Sequence, residues 1–369
     1  MPDSDLIRVL VVDDSAFARK VVREILNGSP RIQVVDIARD GLEALEKITE
    51  LKPDVVTLDL VMPHLDGIGV LQALPKTGGP RVVIVSISDA ESELGIQALE
   101  CGAVDLVQKP TALATDRLYE LSAELVRKVE VAATAKAPFI TAGVPARPLP
   151  KAAATATPIA TAATAATAAT AATTAATAAT AEGRVLVIGT STGGPQALTR
   201  LLTALPGDFP FPIAAVVHIP PGYTQALARR LDQVSALSVL EAWDGLELRA
   251  GQAVIARAGM HLRLDRRGPR SYVTLDLQPI LALHRPSVDV LFESAAAGFG
   301  AGAIGVVLTG MGDDGLRGSH AIREAGGKIL TEAESSCVVY GMPRCVFEEG
   351  LAEAQAPLED MAAEILRRI

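Results

Sequence analysis

The chain has 369 residues, 49% of them apolar and 21% charged, with a formal net charge of −9. That length exceeds one ordinary domain and the composition supplies real cores, so two or three globular units are expected. The acidic balance and the lack of a basic stripe exclude a nucleic-acid grip. Cys101, Cys337 and Cys345 are far apart and without zinc spacing, which predicts reduced thiols in a cytosol. The opening stretch MPDSDLIRVL is acidic and has neither the n-region nor the h-region of a signal peptide. No apolar run approaches the roughly 18 to 20 residues of a membrane helix. A soluble cytoplasmic protein with no direct membrane insertion is expected.

In chain order, IRVLVVDD reads as a buried strand, SAFARKVVREILNG as a helix and QVVDIARD as a strand. GLEALEKITELK follows as a helix, then PDVVTLDL and RVVIVSIS as strands. AESELGIQALECG, AVDLVQKP and DRLYELSAELVRKV complete the unit as helix, strand and helix. Five strands interleaved with five helices predict a doubly wound parallel sheet. In such sheets functional groups collect at the carboxyl ends of the strands. That rule assembles Asp13 and Asp14 after the first strand, Asp59 at the end of the third, Ser86 after the fourth and Lys109 after the fifth. Three carboxylates in one cleft repel one another, and a hard cation such as Mg²⁺ suits their oxygen-only environment. With the cation in place Asp59 can attack a phosphoryl donor, while Lys109 neutralises charge and Ser86 bonds a phosphate oxygen. A cis peptide at Lys109-Pro110 is expected to aim the lysine.

From about Thr134 to Ala181 the sequence is nearly all Ala, Thr and Pro, with a repeat of three residues. It offers no apolar face larger than methyl groups, so a poorly ordered tether is expected. The resulting division is residues 1–125, a low-complexity linker over 126–182, and a second domain over 183–369.

The second domain again carries apolar strands of the kind buried on both faces: RVLVIG, FPIAAVVHIP and AIGVVLTG. A segment from Gly251 to Gln278 alternates and carries turn signals, which predicts a β-hairpin insertion. GTSTG, residues 189–193, matches the G-x-S-x-G elbow that exposes a serine at a strand-to-helix turn. Ser191 needs a base. His64, His261 and His320 read as surface or structural residues, and His284 as a contact to substrate or to the other domain. His218 ends the strand IAAVVH on the same sheet edge as Ser191, which makes it the candidate base. Asp313 and Asp314 end another strand on that edge, and either could orient the imidazole. The rival reading of Gly193-Gly194 as a phosphate cradle lacks G-x-G-x-x-G or a GK[ST] ending. Backbone N–H groups there and around Met311 and Gly312 suit a developing oxyanion.

The first half resembles the receiver domains of two-component response regulators, through VVDDS, TLDLVMPHLDG, VSIS and VQKP in family order. Leu106 stands where that family often has an aromatic residue. The second half resembles the protein-glutamate methylesterase domain of bacterial chemotaxis, through GTSTGGPQAL, HIPPGYT, HRPSVDVLF, LTGMGDDG and CVVYGMPR. Thr190, Val217 and Ile219 depart from that pattern. The whole chain is thus similar to the CheB family. The resemblance implies that Asp59 takes phosphate from a CheA-type histidine kinase. It also implies that Ser191 is the nucleophile, His218 the base and Asp314 the orienting acid, with Thr192 and Met311 lining the site. Methyl-accepting chemotaxis receptors are the implied substrates, methanol the product, and glutamine deamidation a further activity. The esterase needs no cofactor on this reading, and the chain is expected to act as a monomer.

Overall fold

The computed structural model describes residues 6–75, 78–86, 92–109, 115–137, 140 and 183–369. The first unit is built on β1 (Ile7–Val12), β2 (Ile32–Ala38), β3 (Val55–Leu58), β4 (Arg81–Ser86) and β5 (Asp105–Gln108). Their order is β2-β1-β3-β4-β5 and every pairing is parallel. Helices α1 (Ala16–Asn27) and α5 (Thr115–Thr134) pack against each other, while α2 (Gly41–Leu51), α3 (Gly67–Ala73) and α4 (Ser92–Glu100) follow one another. Covered on both faces, the central strands are mostly apolar, and Val9, Leu10, Val55, Val56 and Ile84 are fully buried.

Local chemistry fixes the tips of these strands. The Ser15 hydroxyl caps α1 by accepting the Ala18 N–H at 3.3 Å, and Asp13 accepts the Ser15 N–H at 2.9 Å. After β3 the chain doubles back so closely that a Cβ on Gly67 would lie 2.4 Å from the Asp59 carbonyl oxygen. Only glycine fits there, and that fit holds the Asp59 loop shut.

Helix α5 continues to Thr134, beyond residue 125 where composition placed the end of the domain. The reason is periodicity: Leu125, Val129 and Ala132 fall on one helical face and are buried. The Ala/Thr/Pro repeat and Pro110, with its expected cis bond, lie outside the described residues.

The second unit has seven parallel strands: β6 (Val185–Thr190), β7 (Ile213–Val217), β8 (Ser238–Glu241), β10 (Gln252–Ile255), β13 (Ala303–Val307), β14 (Lys328–Glu332) and β15 (Ala354–Ala356). Their order is β15-β14-β13-β6-β7-β10-β8. Helices α6 (Gly194–Ala204), α7 (Tyr223–Val234), α8 (Val288–Phe299), α9 (Leu316–Glu324), α10 (Met342–Glu348) and α11 (Leu358–Leu366) complete it. The predicted insertion is the antiparallel pair β11 (His261–Arg267) and β12 (Arg270–Asp276), joined by the short strand β9 (Glu247–Leu248). The QAVI run before it, expected within the insertion, is β10 of the main sheet; its Ala253, Val254 and Ile255 are fully buried.

The strand order reverses at β6: β7 lies on one side of it and the much later β13 on the other. Such a switch point opens a crevice at the carboxyl ends of the strands, and Ser191, His218 and the 309–314 loop all emerge there. Among the described residues no helix is long and apolar enough to cross a membrane.

The two units are in contact. Tyr223 is fully buried, and its ring sits where a Cβ on Gly95 of α4 would come within 2.3 Å. Gln196 donates to the carbonyls of Leu99 and Ala103 at 2.9 and 2.8 Å, and Arg230 pairs with Glu100 at 2.6 Å. These bonds align the start of α6 with the far end of α4.

Candidate functional site

Backbone register sets the second-domain site. The Ser191 N–H donates to the Thr309 carbonyl at 3.0 Å, and the His218 N–H donates to the Thr190 carbonyl at 3.1 Å. Ser191 is thereby tied to the extensions of both neighbouring strands. Gly193 follows with φ 77°, a left-handed turn that launches α6 directly behind the serine. A Cβ on Gly310 would sit 2.8 Å from the Ser191 Cβ, so the next strand extension presses on the elbow from the other side.

His218 Nε2 lies 2.9 Å from Asp314 Oδ2. Asp314 also accepts the Ser287 hydroxyl at 2.9 Å and the N–H groups of Val288 and Asp289 at 2.8 and 2.9 Å. Its carboxylate therefore caps the start of α8. Burial works against its ionised form, but the bonds from His218 and the α8 N–H groups outweigh burial and hold its pKa well below the usual carboxylate range. Asp289 returns the arrangement by accepting the Gly315 and Gly318 N–H groups at 2.9 and 2.8 Å. Asp313 is exposed and makes no bond to His218.

An ionised Asp314 can only accept, so the proton sits on His218 Nε2. The lone pair is then on Nδ1, which is buried and has no hydrogen-bond partner. Ser191, Thr192, His218 and Met311 line one cleft of about 280 Å³. No bond joins the Ser191 hydroxyl to His218 among the described residues; the two share the cleft without being coupled. The N–H groups of Thr192, Met311 and Gly312 donate to no acceptor among the described residues.

His284, on the rim, stacks on His218 with ring centroids 4.2 Å apart and planes 17° apart. Burial, reinforced by the neighbouring His218, lowers the His284 pKa to about 4, so the stacked ring is neutral at pH 7. The remaining histidines stay apart. His64 is exposed and bonds Asp40, His320 is exposed, and His261 is fully buried, accepting the Ser287 N–H at 3.3 Å.

The first-domain cleft is assembled as the strand tips implied. One carboxylate oxygen from each of Asp13, Asp14 and Asp59 lies within 4.8 Å of the others. Lys109 reaches Asp59 at 2.7 Å and Asp13 at 3.0 Å, and its N–H donates to the Ser86 carbonyl at 2.8 Å. Burial pushes the Asp59 pKa up to about 6 despite the opposing Lys109 charge. Burial lowers the Lys109 pKa, but Asp59 and Asp13 more than compensate and raise it. Asp13 and Asp59 are buried while Asp14 is exposed, so the group opens to solvent on one side.

The two clefts meet along β5. Asp105 at its start accepts the Thr192 hydroxyl at 2.6 Å, and Lys109 just beyond its end bonds Asp59. Lys128 on α5 secures Asp105 at 2.9 Å and the Leu106 carbonyl at 2.8 Å. Gln108, Glu124, Arg127 and Lys128 of the first unit form one wall of the Ser191 cleft. Neither Asp105 nor Lys128 belongs to a motif, and the one sequence sign was a charge inside the buried strand AVDLVQKP.

A parallel α/β unit with a clustered-acid tip, joined to a second α/β unit with a serine elbow beside a His–Asp pair, defines a two-domain response-regulator hydrolase. The comparisons agree. The Response regulator receiver domain family matches residues 9–120, and the CheB methylesterase family matches residues 186–365. A Myxococcus xanthus protein-glutamate methylesterase/protein-glutamine glutaminase is 58% identical over 98% of both chains. A relative of the same name from Symbiobacterium thermophilum is 43% identical, covering 98% of this chain and 97% of its own. The Thermotoga maritima CheB methylesterase catalytic domain superposes with a TM-score of 0.50 at 40% identity, over 51% of this chain and 99% of that one. The chain belongs to the CheB family of protein-glutamate methylesterases/protein-glutamine glutaminases.

Proposed function

We propose that this protein hydrolyses γ-methyl esters of glutamate on the cytosolic helices of methyl-accepting chemotaxis receptors, and that phosphorylation of Asp59 switches it on. The observation that carries the reading is the His218–Asp314 bond at 2.9 Å in the cleft that also holds Ser191. Ser191 attacks the ester carbonyl and its proton passes to His218 Nδ1, the imidazole nitrogen that Asp314 leaves free. The charge that forms on the carbonyl oxygen is met by the N–H groups of Thr192, Met311 and Gly312. His218 then protonates the leaving methoxide, methanol departs, and water activated by the same imidazole releases the glutamate. A glutamine side chain entering the same cleft would lose ammonia by the same acyl transfer, which is the deamidase reading.

The first domain supplies control. Asp13, Asp14 and Asp59 are three converging carboxylates whose charge Lys109 alone does not balance; they would hold a Mg²⁺ ion, which would supply positive charge against a phosphoryl group. Asp59 takes the phosphoryl group from a histidine kinase, Ser86 bonds a phosphate oxygen and Lys109 follows the new charge. Because Lys109 and Asp105 flank one strand, that shift strains the Thr192–Asp105 bond and loosens the wall over the cleft. The protein works as a monomer in the cytoplasm, where receptor helices and kinase are both reached. Methanol release from methylated receptors, with and without a phosphodonor, tests the reading. Release that rises with the phosphodonor is expected, and no release under either condition overturns it.

A further inference from the structure

Among the described residues thirteen large apolar side chains are exposed, and four of them, Leu277, Ile280, Leu281 and Leu283, fall within one seven-residue loop. Leu281 is 96% and Leu283 78% exposed. A concentration of this kind on an otherwise acidic, soluble chain marks an interaction surface. The loop is built rather than slack. Arg285 donates to the Ile280 carbonyl at 2.6 Å, Arg263 to the Gln278 carbonyl at 2.9 Å, and the Ala282 N–H to the Pro279 carbonyl at 3.1 Å. Its end is continuous with the reaction site, because Leu283 and His284 line the same cleft as Ser191 and His218.

We infer that loop 277–283 is the docking lip for the substrate protein, taking the apolar side chains that flank the modified glutamate. The inference rests on the esterase reading above. At about 280 Å³ the cleft admits a single ester side chain and excludes the backbone that carries it. Whatever presents that side chain lies across the rim, and opposite the polar wall of Gln108, Glu124, Arg127 and Lys128 the side that runs into the loop offers leucine and isoleucine. On a helical substrate, residues three and four positions from the glutamate share its face and meet the loop when the ester reaches Ser191. The lip therefore selects a helical segment with apolar neighbours beside the glutamate, and small esters gain nothing from it.

The test uses the full chain with acetyl phosphate and Mg²⁺, comparing it with an Ile280→Ser, Leu281→Ser double variant. Neither side chain lines the cleft, and both are exposed, so the variant folds as the parent does. Two substrates are needed: a glutamate-methylated helical receptor fragment and p-nitrophenyl acetate. The lip predicts that KM for the fragment rises about tenfold, with kcat and the small-ester rate unchanged. An unchanged KM overturns it, as does an equal loss on both substrates. A parent that dimerises and a variant that does not would also overturn it, by making the loop a self-contact. If the unmutated chain releases no methanol from the fragment yet cleaves p-nitrophenyl acetate, the esterase reading fails first and the lip falls with it.

Discussion

The Thr192 hydroxyl donates to the Asp105 carboxylate at 2.6 Å, and this bond joins the residue beside the candidate nucleophile to the strand that carries Lys109. A hydroxyl next to the candidate nucleophile is thus committed to the first domain. Lys128 balances the buried Asp105 and stays charged: burial disfavours its ammonium form, but Asp105 and Glu124 raise its pKa. The contact is a charge-assisted latch, of the kind that weakens sharply when one partner moves.

Loosening the latch is predicted to raise basal activity. Gln196→Ala removes two bonds to the first domain without touching Ser191 or His218. With each net bond worth about 1 kcal/mol, the contact loses about 2 kcal/mol, and methanol release by the unphosphorylated enzyme should rise by up to about thirtyfold. The phosphorylated rate should change little. Steady-state rates with and without phosphodonor check both halves.

Asp314→Asn should lower kcat about 10³–10⁴-fold, because the amide no longer fixes the proton on His218 Nε2. It should also destabilise the fold, since the carboxylate accepts two N–H groups at the start of α8. A carboxylate whose folded pKa is depressed stabilises fully above its unfolded pKa, and that contribution is lost as pH falls. Thermal melts from pH 6 down to pH 3 should therefore show a steeper loss for the parent than for the asparagine variant.

Glu332 predicts the opposite sign. It is fully buried at the end of β14, accepting the Thr309 N–H at 2.8 Å and the Ser336 hydroxyl at 2.9 Å. Burial raises its pKa from 4.5 to about 7, despite the opposing bonds from Thr309 and Ser336. The folded state thus binds a proton that the unfolded state has released, and stability falls as pH rises between these values. At about 1.36 kcal/mol per unit, the loss is on the order of 3 kcal/mol. Denaturant titrations at pH 5 and pH 8 should show this slope in the parent and a flatter one in Glu332→Gln.

Much of this was legible because apolar runs of the right length end in chemically loud residues. VLVIGTS and IAAVVH each predict a buried strand and name the group at its tip, and the shared edge follows from parallel topology. The choice between Asp313 and Asp314 was not legible from chemistry alone. Adjacent residues in a turn point in different directions, and only the position of α8 turns Asp314 inward. Asp105 showed locally only as a charge in a buried strand, which does not name its partners, since Lys128 and Thr192 stand 23 and 87 positions away. His284 was read as a substrate or domain contact, and its stack on His218 depends on how the 277–286 loop folds back. The first domain was given an end at 125 although the helical stretch DRLYELSAELVRKV already runs past it, and the buried face of Leu125, Val129 and Ala132 carries that helix on to Thr134.

The central claim is that Ser191 performs the chemistry, and its most direct test is methanol release from glutamate-methylated receptors by a Ser191→Ala variant under phosphorylating conditions. The account predicts a fall of at least about 10⁴-fold, with the variant folded and Asp59 still phosphorylated. Release at the parent's rate would contradict it.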